Sequence, residues 1–485
     1  MLLGLDLGTT NVKALLVEED GTVRAQQGSR PIDVKHVADG GVEQDIEQVW
    51  RATCEAIAQA GAGDAMRDVR AVGVSSQGGA LQLRTHDGRC VGPVISWLDG
   101  RGHPFDRKLT EQFGPEWFAA RVGHAGSGVA VGQILRLRKA SPPVLTDKHC
   151  IGFVGDTIVE RLCGRAAHDH SSLSIANLYN PTLRRADPDV LAALALDDDR
   201  LPDLLAATEP AGMVTEEASK QTGLPTGIPV TPAVHDQYAA AVGCNALAAG
   251  DVMFGAGTAW VLLAIGDRPV APVAPLAWVC DHVVEGCWGQ LLSLIVGGSV
   301  FRWALAMTQL ADAPADKIDE LMERIAPGCD GLSVFPFHDG MGGSRRLTAG
   351  QVRGLRLAHG PGHLLRGCVE GLSFELARQL GWLADAGCVG QRLVMCGRAA
   401  GTRCTPRIVA DVTGRPVSVP AHTEVSAFGA AVLARCLAEP GASLETLAHG
   451  MVGTARSFEP SAACERYSEL LDRYVAALDT DVKKP

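Results

Sequence analysis

The sequence predicts an α/β protein of two domains, each built on a mixed sheet, with a ligand cleft expected between them. Three observations carry that prediction. At 485 residues the chain exceeds what one compact core holds, so two domains of roughly 200 to 250 residues are expected. The chain opens on Leu2-Leu3-Gly4-Leu5-Asp6-Leu7 and Asn11-Val12-Lys13-Ala14-Leu15-Leu16-Val17, whose apolar positions alternate with period two around Gly8-Thr9-Thr10. That is two strands and a tight turn, and strands then alternate with helices as in an α/β sheet. The same outline returns past Gly250, with a strand over 251–254, a tip at Gly255-Ala256-Gly257-Thr258 and a second strand over 259–264. A duplicated unit of this kind places its ligand between the halves.

Each element follows from local chemistry. Glu19-Asp20-Gly21 turns the chain into a third run over 22–25. Ile46, Val49, Trp50, Cys54, Ile57 and Ala58 form an apolar stripe at helical spacing, with Asp45 as N-cap. A short buried strand over 70–75 runs into Ser76-Gln77-Gly78-Gly79-Ala80, and strands over 81–83 and 93–97 flank the turn at Asp87-Gly88. Residues 126–149 read as helical with polar connections, and 150–156 as a strand entering a helix over 157–163. A Gly/Pro-punctuated stretch over 222–230 leads a buried strand to Val234-His235-Asp236-Gln237. In the second half a long helix covers 361–386, a strand covers 391–396, and a helix over 405–413, a strand over 417–419 and a small-residue helix over 426–431 follow. The resulting boundaries are 1–245, 246–440 and a helical tail over 441–485.

Composition excludes several classes. A net charge of -11 argues against a nucleic-acid partner, which would need a broad basic face. No apolar run is long enough to span a bilayer and Met1 leads straight into a strand, so no membrane partner and a cytoplasmic location are expected. Fourteen cysteines are scattered singly with no C-x-x-C, which fits reduced, packed thiols rather than zinc or disulfide frameworks. A homodimer is compatible with the sequence.

The candidate chemistry sits at the two tips. Gly8, Thr9 and Thr10 can present backbone N–H and hydroxyl groups to a phosphate. Asp6, on the same tip, is placed to face a divalent cation or its waters. Any hairpin can carry Gly and Thr in its turn, which is the bland alternative. Asp236 begins a small-residue helix directly after an apolar strand, a position that suits either an N-cap or a general base at the edge of a sheet. The absence of any G-K-[ST] excludes a P-loop.

The string D-L-G-T-T at Asp6 resembles the first phosphate motif of the sugar kinase, actin and heat-shock chaperone superfamily. Over residues 1–440 the chain resembles the FGGY family of carbohydrate kinases, and xylulose kinases within it. The matching pieces are E-Q-D at Glu43, S-x-Q-G at Ser75, W-x-D-x-R at Trp97, H-D-Q before Ala239 and G-x-G-T at Gly255. G-L-x-L-x-H at Gly354, E-G-L-x-F at Glu370, A-D-V-T-G-R-P-V at Ala410 and F-G-A-A at Phe428 complete the series. The resemblance implies two ribonuclease H-like domains of the actin-like ATPase fold and transfer of the γ-phosphate of ATP to a primary hydroxyl of a ketopentose or related ketose or polyol. It implies Asp236 as general base, Gly8, Thr9, Thr10, Gly257 and Thr258 around the phosphates, and Asp6 supporting Mg²⁺. Gln77, Gly78, Gly79, Trp97, Asp99 and Arg101 would line the sugar pocket. Gly397, Arg398, Ala399, Ala400 and Thr402 would receive adenosine. Lys13 would reach a phosphate or stand solvated at a strand end, and Trp97 would face the sugar or pack in the core.

Two departures stand out. Xylulose kinases commonly read Q-M-H-G at the substrate loop, where this chain has Gln77-Gly78-Gly79-Ala80, which enlarges the pocket and brings D-xylulose into question. The adenosine loop, usually G-G-G-A-x-S, is Gly397-Arg398-Ala399-Ala400-Gly401-Thr402, where each added Cβ narrows backbone approach. Arg398 would compensate by stacking on adenine or pairing with phosphate, or it marks a weakened ATP site. The competing reading is a non-catalytic sugar or nucleotide sensor that keeps the fold.

Overall fold

A computed structural model describes the chain except residues 25–26, 62–63, 295, 337–348, 389, 391 and 483–485. The expectations for Ala25, Gln391 and the last three residues of the tail therefore lie outside the described residues. The chain forms two compact units. The first comprises 1–247, 267–289 and 424–453, the second 248–266, 290–423 and 454–485.

The first unit is organised on an eight-stranded mixed sheet in which the opening hairpin lies between Ala71–Ser76 and the edge strand Gly28–Pro31. Leu2–Leu7 pairs antiparallel with Asn11–Val17 and parallel with Ala71–Ser76, which in turn pairs parallel with Pro229–His235. The alternation read in the sequence buries Leu3, Leu5, Leu7, Val12, Ala14 and Leu16 in one cluster with Val49, Trp50 and Ile57 of the helix Ile46–Ala60. Asp45 caps that helix as expected, its carboxylate accepting from the Glu47 N–H at 2.9 Å. A five-stranded antiparallel sheet that includes Val42–Gln44 and Leu81–Thr85 stands beside the main one.

The third strand departs from expectation. Among the described residues of the run over 22–25, Val23 bridges back, to Val17, and the paired strand is Gly28–Pro31. The turn at Glu19-Asp20-Gly21 closes the hairpin tightly, and the chain needs a few more residues before it lies flat on Asn11–Val17. Of the stretch 126–149, expected to be helical with polar connections, Gly128–Lys139 forms a helix, and Pro142 and Pro143 cannot continue it.

The second unit repeats the plan. Asp251–Ala256 pairs antiparallel with Trp260–Gly266 and parallel with Arg392–Cys396, which pairs parallel with Val417–Pro420. The helices Pro361–Asp385 and Cys404–Thr413 pack together in this unit.

Where the small-residue helix lies is decided by packing. Val425–Ala438 belongs to the first unit, covering the outer face of Leu2–Leu7 and Ala71–Ser76. Its Ala427, Ala430 and Ala431 approach the sheet so closely that a Cβ at Gly4 would stand 1.9 Å from the Ala427 carbonyl oxygen, and one at Gly73 1.8 Å from that of Ala430. Residues 441–482 divide between the units. Leu444–Met451 packs on the small-residue helix in the first, whereas Thr454–Phe458 extends the second unit's sheet as an edge strand and Ala463–Val482 packs beside Cys404–Thr413.

Candidate active site

Parallel strands deliver their C-terminal ends to one edge of a sheet, and ligand sites of α/β folds form there. In the first unit Leu7, Ser76 and His235 stand in register, so Gly8-Thr9, Gln77-Gly78 and Asp236 leave the sheet side by side. Sequence-distant residues are thereby gathered at one place.

A hydrogen-bonded net ties the loops of this edge together. Thr9 Oγ1 donates to Gln77 Oε1 at 3.2 Å and accepts from Trp97 Nε1 at 2.9 Å. Gln44 Nε2 donates to the Thr9 carbonyl at 2.7 Å, and Gln77 Nε2 donates to Gln44 Oε1 at 3.2 Å. The Gly8 N–H closes the turn on the Asn11 carbonyl, and Thr10 stands exposed. Trp97 keeps 47% of its surface exposed, so core packing does not account for it. Gly79 is half-buried with φ of +71°, a left-handed conformation that favours glycine.

Asp99 and Arg101 are brought to the same loop system but face other protein groups. Asp99 is fully buried, and its carboxylate accepts from the Val42 N–H at 2.9 Å, from Gln133 Nε2 at 2.9 Å and from Arg101. The Arg101 guanidinium spans Asp99, Asp39 and Glu43. Burial opposes the charge of Asp99, but these contacts outweigh that cost and lower its pKa. The pair braces the wall behind Trp97.

The electrostatic centre is a pair of carboxylates. Asp6 accepts from Ser75 Oγ at 3.0 Å, and burial first, then the charge of Asp236, push its pKa up to about 7. Burial likewise raises Asp236 to about 6, opposed by hydrogen bonding from Gln237. The helix Asp236–Gly243 takes His235 as its N-cap residue, without a side-chain cap, so the carboxylate of Asp236 is not spent on capping. Lys13, opposite Asp6 in the hairpin register, pairs with Glu424 and is therefore not a free strand-end lysine.

In the second unit Gly255 and Cys396 stand in register, so the tip at Gly257-Thr258 and the loop at Gly397 leave that sheet together. Gly397 has φ of +85°, and a Cβ there would lie 2.9 Å from the Ala256 carbonyl carbon and 3.1 Å from the Gly257 nitrogen. Glycine alone allows that approach. Arg398–Gly401 forms a 3₁₀ turn in which Arg398 is exposed and Ala400 buried. Thr402 Oγ1 donates to the Ala399 carbonyl at 2.9 Å, and Arg456 holds the carbonyls of Ala400 and Thr402. Thr258 is exposed, and its carbonyl accepts from the Ser299 N–H at 3.1 Å.

Gln44, Ser75, His235 and Glu424 also belong to this arrangement. Gln44, Ser75 and His235 lie inside motifs visible in the sequence. Glu424 had no local signal, being 411 positions from its partner Lys13.

Two units of one topology, each offering a Gly-Thr hairpin tip beside a second loop at the edge of a mixed sheet, define a phosphotransferase of the actin-like ATPase fold. The chain belongs to the FGGY family of carbohydrate kinases, whose N-terminal domain matches residues 1–243 and whose C-terminal domain matches residues 252–438. It is 27% identical to the xylulose kinase of Escherichia coli (strain K12), over 92% of this chain and 91% of the relative. A glycerol kinase of Gloeobacter violaceus is 29% identical, over 89% of this chain and 87% of the relative. The crystal structure of xylulose kinase from Rhodospirillum rubrum superposes with a TM-score of 0.90 at 26% identity, over 99% of this chain and 98% of that one. The protein is thus a carbohydrate kinase, a phosphotransferase that acts on an alcohol group of a small sugar or polyol. Among the described residues no helix is long and apolar enough to cross a membrane.

Proposed function

We propose that this kinase phosphorylates a primary hydroxyl of a ketopentose, such as ribulose or xylulose, or of a related ketose or polyol, with Asp236 as general base. The observation that carries the reading is the carboxylate of Asp236 itself. It leads a helix at the end of a central parallel strand, is not used as a cap, and is raised by burial to about 6. A base with that affinity for protons is ionised at neutral pH yet still takes a proton from a hydroxyl as its oxygen attacks phosphorus.

The other residues divide the remaining work. Thr9 and Thr10 in the first unit and Gly257 and Thr258 in the second are the donors we assign to the phosphates of ATP. The loop Gly397-Arg398-Ala399-Ala400 with Thr402 is assigned to adenosine, where the exposed guanidinium of Arg398 is available to a base or a phosphate. Gln77 fixes the loop that presents Gly78 and Gly79, and Trp97 offers the sugar an indole face held by Thr9. Asp99 and Arg101 keep that wall rigid.

A hard divalent cation fits the donor set only as a partner of the phosphates. Among the described residues no three His, Cys, Asp or Glu side chains converge on a metal position. Asp6 and Asp236, by contrast, are carboxylates whose mutual repulsion a cation relieves. Mg²⁺ held beside Asp6 would offset the negative charge of the phosphoryl oxygens. We place the reaction in the cytoplasm.

The test is ADP release, measured with a coupled assay over a panel of ketopentoses, ketohexoses, alditols and glycerol. Turnover is expected with at least one ketopentose. Sugar binding by calorimetry without ADP release from any member would make the protein a sensor instead.

A further inference from the structure

We propose that Glu424 is a positioning residue for the phosphoryl transfer, its carboxylate holding the Lys13 ammonium beside the first hairpin tip with N–H groups left over for the phosphate in transit. The inference rests on the assignment of that hairpin to the phosphates of ATP.

The place of Glu424 is set by backbone packing. On the strand Leu2–Leu7, Gly4 and Asp6 share one face, and the helix Val425–Ala438 lies on it with the Ala427 carbonyl against Gly4. The same helix meets the helix Asp236–Gly243 with no side chain between them. A Cβ at Gly243 would run into the Val425 carbonyl oxygen, and one at Gly429 into that of Ala239. Backbones in contact on two sides do not slide past each other, so the residues that open the helix have fixed places. Ser426 adds a further tie, its Oγ donating to the Asp236 carbonyl at 3.2 Å.

Glu424 stands at the N-cap position but its side chain caps nothing. Its carboxylate accepts from Lys13 Nζ instead, across 411 positions of chain. Lys13 lies directly opposite Asp6 in the hairpin register, so the two side chains leave one face with their Cβ atoms about 5 Å apart. Asp6 accepts from Ser75, and the ammonium is drawn to the side of the tip where the helix begins.

What the pair supplies is direction rather than stability. Each side chain keeps about a third of its surface exposed, so the contact contributes little to folding and stays open to a ligand. A lysine carries three donors on a four-carbon stem with many rotamers. One donor on Glu424 fixes the stem before any nucleotide arrives. The ordering that a phosphate would otherwise have to impose is then already done.

The test is steady-state kinetics of the full chain with its best acceptor, comparing Lys13→Met, Glu424→Ala, Glu424→Gln, the double variant Lys13→Met/Glu424→Ala and Thr9→Ala. Glu424→Ala is expected to lower kcat roughly 10-fold, as loss of a hydrogen bond to a charged group does, with KM for the acceptor and the melting temperature little changed. Glu424→Gln, whose amide oxygen still accepts from the ammonium, should recover part of that loss. In the Lys13→Met background Glu424→Ala should cost nothing further, because Glu424 acts only through Lys13. Wild-type or faster kcat in Glu424→Ala overturns the proposal, as does a double variant as slow as the product of the single effects. If Glu424→Ala does not fold, Glu424→Gln decides: a lower kcat whose deficit vanishes in the Lys13→Met background supports the proposal, and an unchanged kcat or an equal deficit in both backgrounds overturns it. Lys13→Met and Thr9→Ala separate the two levels. Lys13→Met as fast as the wild type overturns the proposal, and if Thr9→Ala is as fast too, the assignment of the hairpin to ATP falls with it. Slow Lys13→Met and Thr9→Ala beside a wild-type Glu424→Ala leave that assignment standing and remove only the role of Glu424.

Discussion

At the scale of single residues, the site is a balance of charge that the folded chain carries at a cost. Asp6 and Asp236 both bind protons more tightly in the folded chain than the ordinary value of 3.8, at about 7 and about 6. The folded chain therefore takes up protons that the unfolded chain does not. Stability from these two groups is fully present below 3.8 and lost as pH rises through 6 and then 7. Asp6→Asn removes one of these groups. In the ligand-free protein its melting temperature, relative to that of the wild type, should climb between about pH 5 and pH 8, as the wild type alone pays for an added buried charge. Scanning calorimetry across that range checks it, and a difference that does not vary with pH contradicts the burial argument.

At the scale of elements, the close approach of Val425–Ala438 to the central sheet is what the glycines of Leu2–Leu7 and Ala71–Ser76 provide. Gly73→Ala would place a methyl group against the backbone oxygen of Ala430, which no rotamer change can relieve. Overpacking of this kind costs about 1–3 kcal/mol, and denaturant titration should show that loss. A variant as stable as the wild type would mean the helix can lift away freely. Much of this level was legible in the sequence. The period of two around Gly8-Thr9-Thr10, its return at Gly255-Ala256-Gly257-Thr258 and the stripe behind Asp45 each fix an element by local chemistry. Other features were not legible for the same reason. A helix of small residues shows no preferred face, so its sequence does not say which sheet it covers. The strand Gly28–Pro31 is chosen by its fit to Asn11–Val17 and to the helix Ile46–Ala60, not by its own weak pattern. Lys13 and Glu424 meet only because that helix returns to the first unit.

At the scale of the whole molecule, the chain crosses between its units several times, and its last segment belongs to both. Residues 444–451 pack in the first unit, whereas Thr454–Phe458 and the helix after it complete the second. In the second unit Tyr467 is fully buried, donating to Glu370 Oε1 at 2.8 Å and accepting from Arg366 Nη2 at 2.7 Å. A chain ending at residue 440 should accordingly unfold at a lower temperature than the full chain, since it uncovers a sheet edge and strips the Tyr467 hydroxyl from the buried Arg366–Glu370 pair. Equal melting temperatures would show that the tail is dispensable. The family and the two Gly-Thr hairpins could be read from the motifs, because each motif keeps its own local pattern. The acceptor could not, because the residues the motifs assign to it, Gly78 and Trp97 among them, come from separate stretches of chain whose joint shape no local pattern gives. The claim on which all of this turns is that one carboxylate accepts the proton of the sugar hydroxyl. Turnover of Asp236→Asn with the best acceptor, alongside circular dichroism to confirm its fold, tests it most directly. A fall in kcat of about 10²-fold or more in a folded protein is predicted, and wild-type turnover would contradict the account.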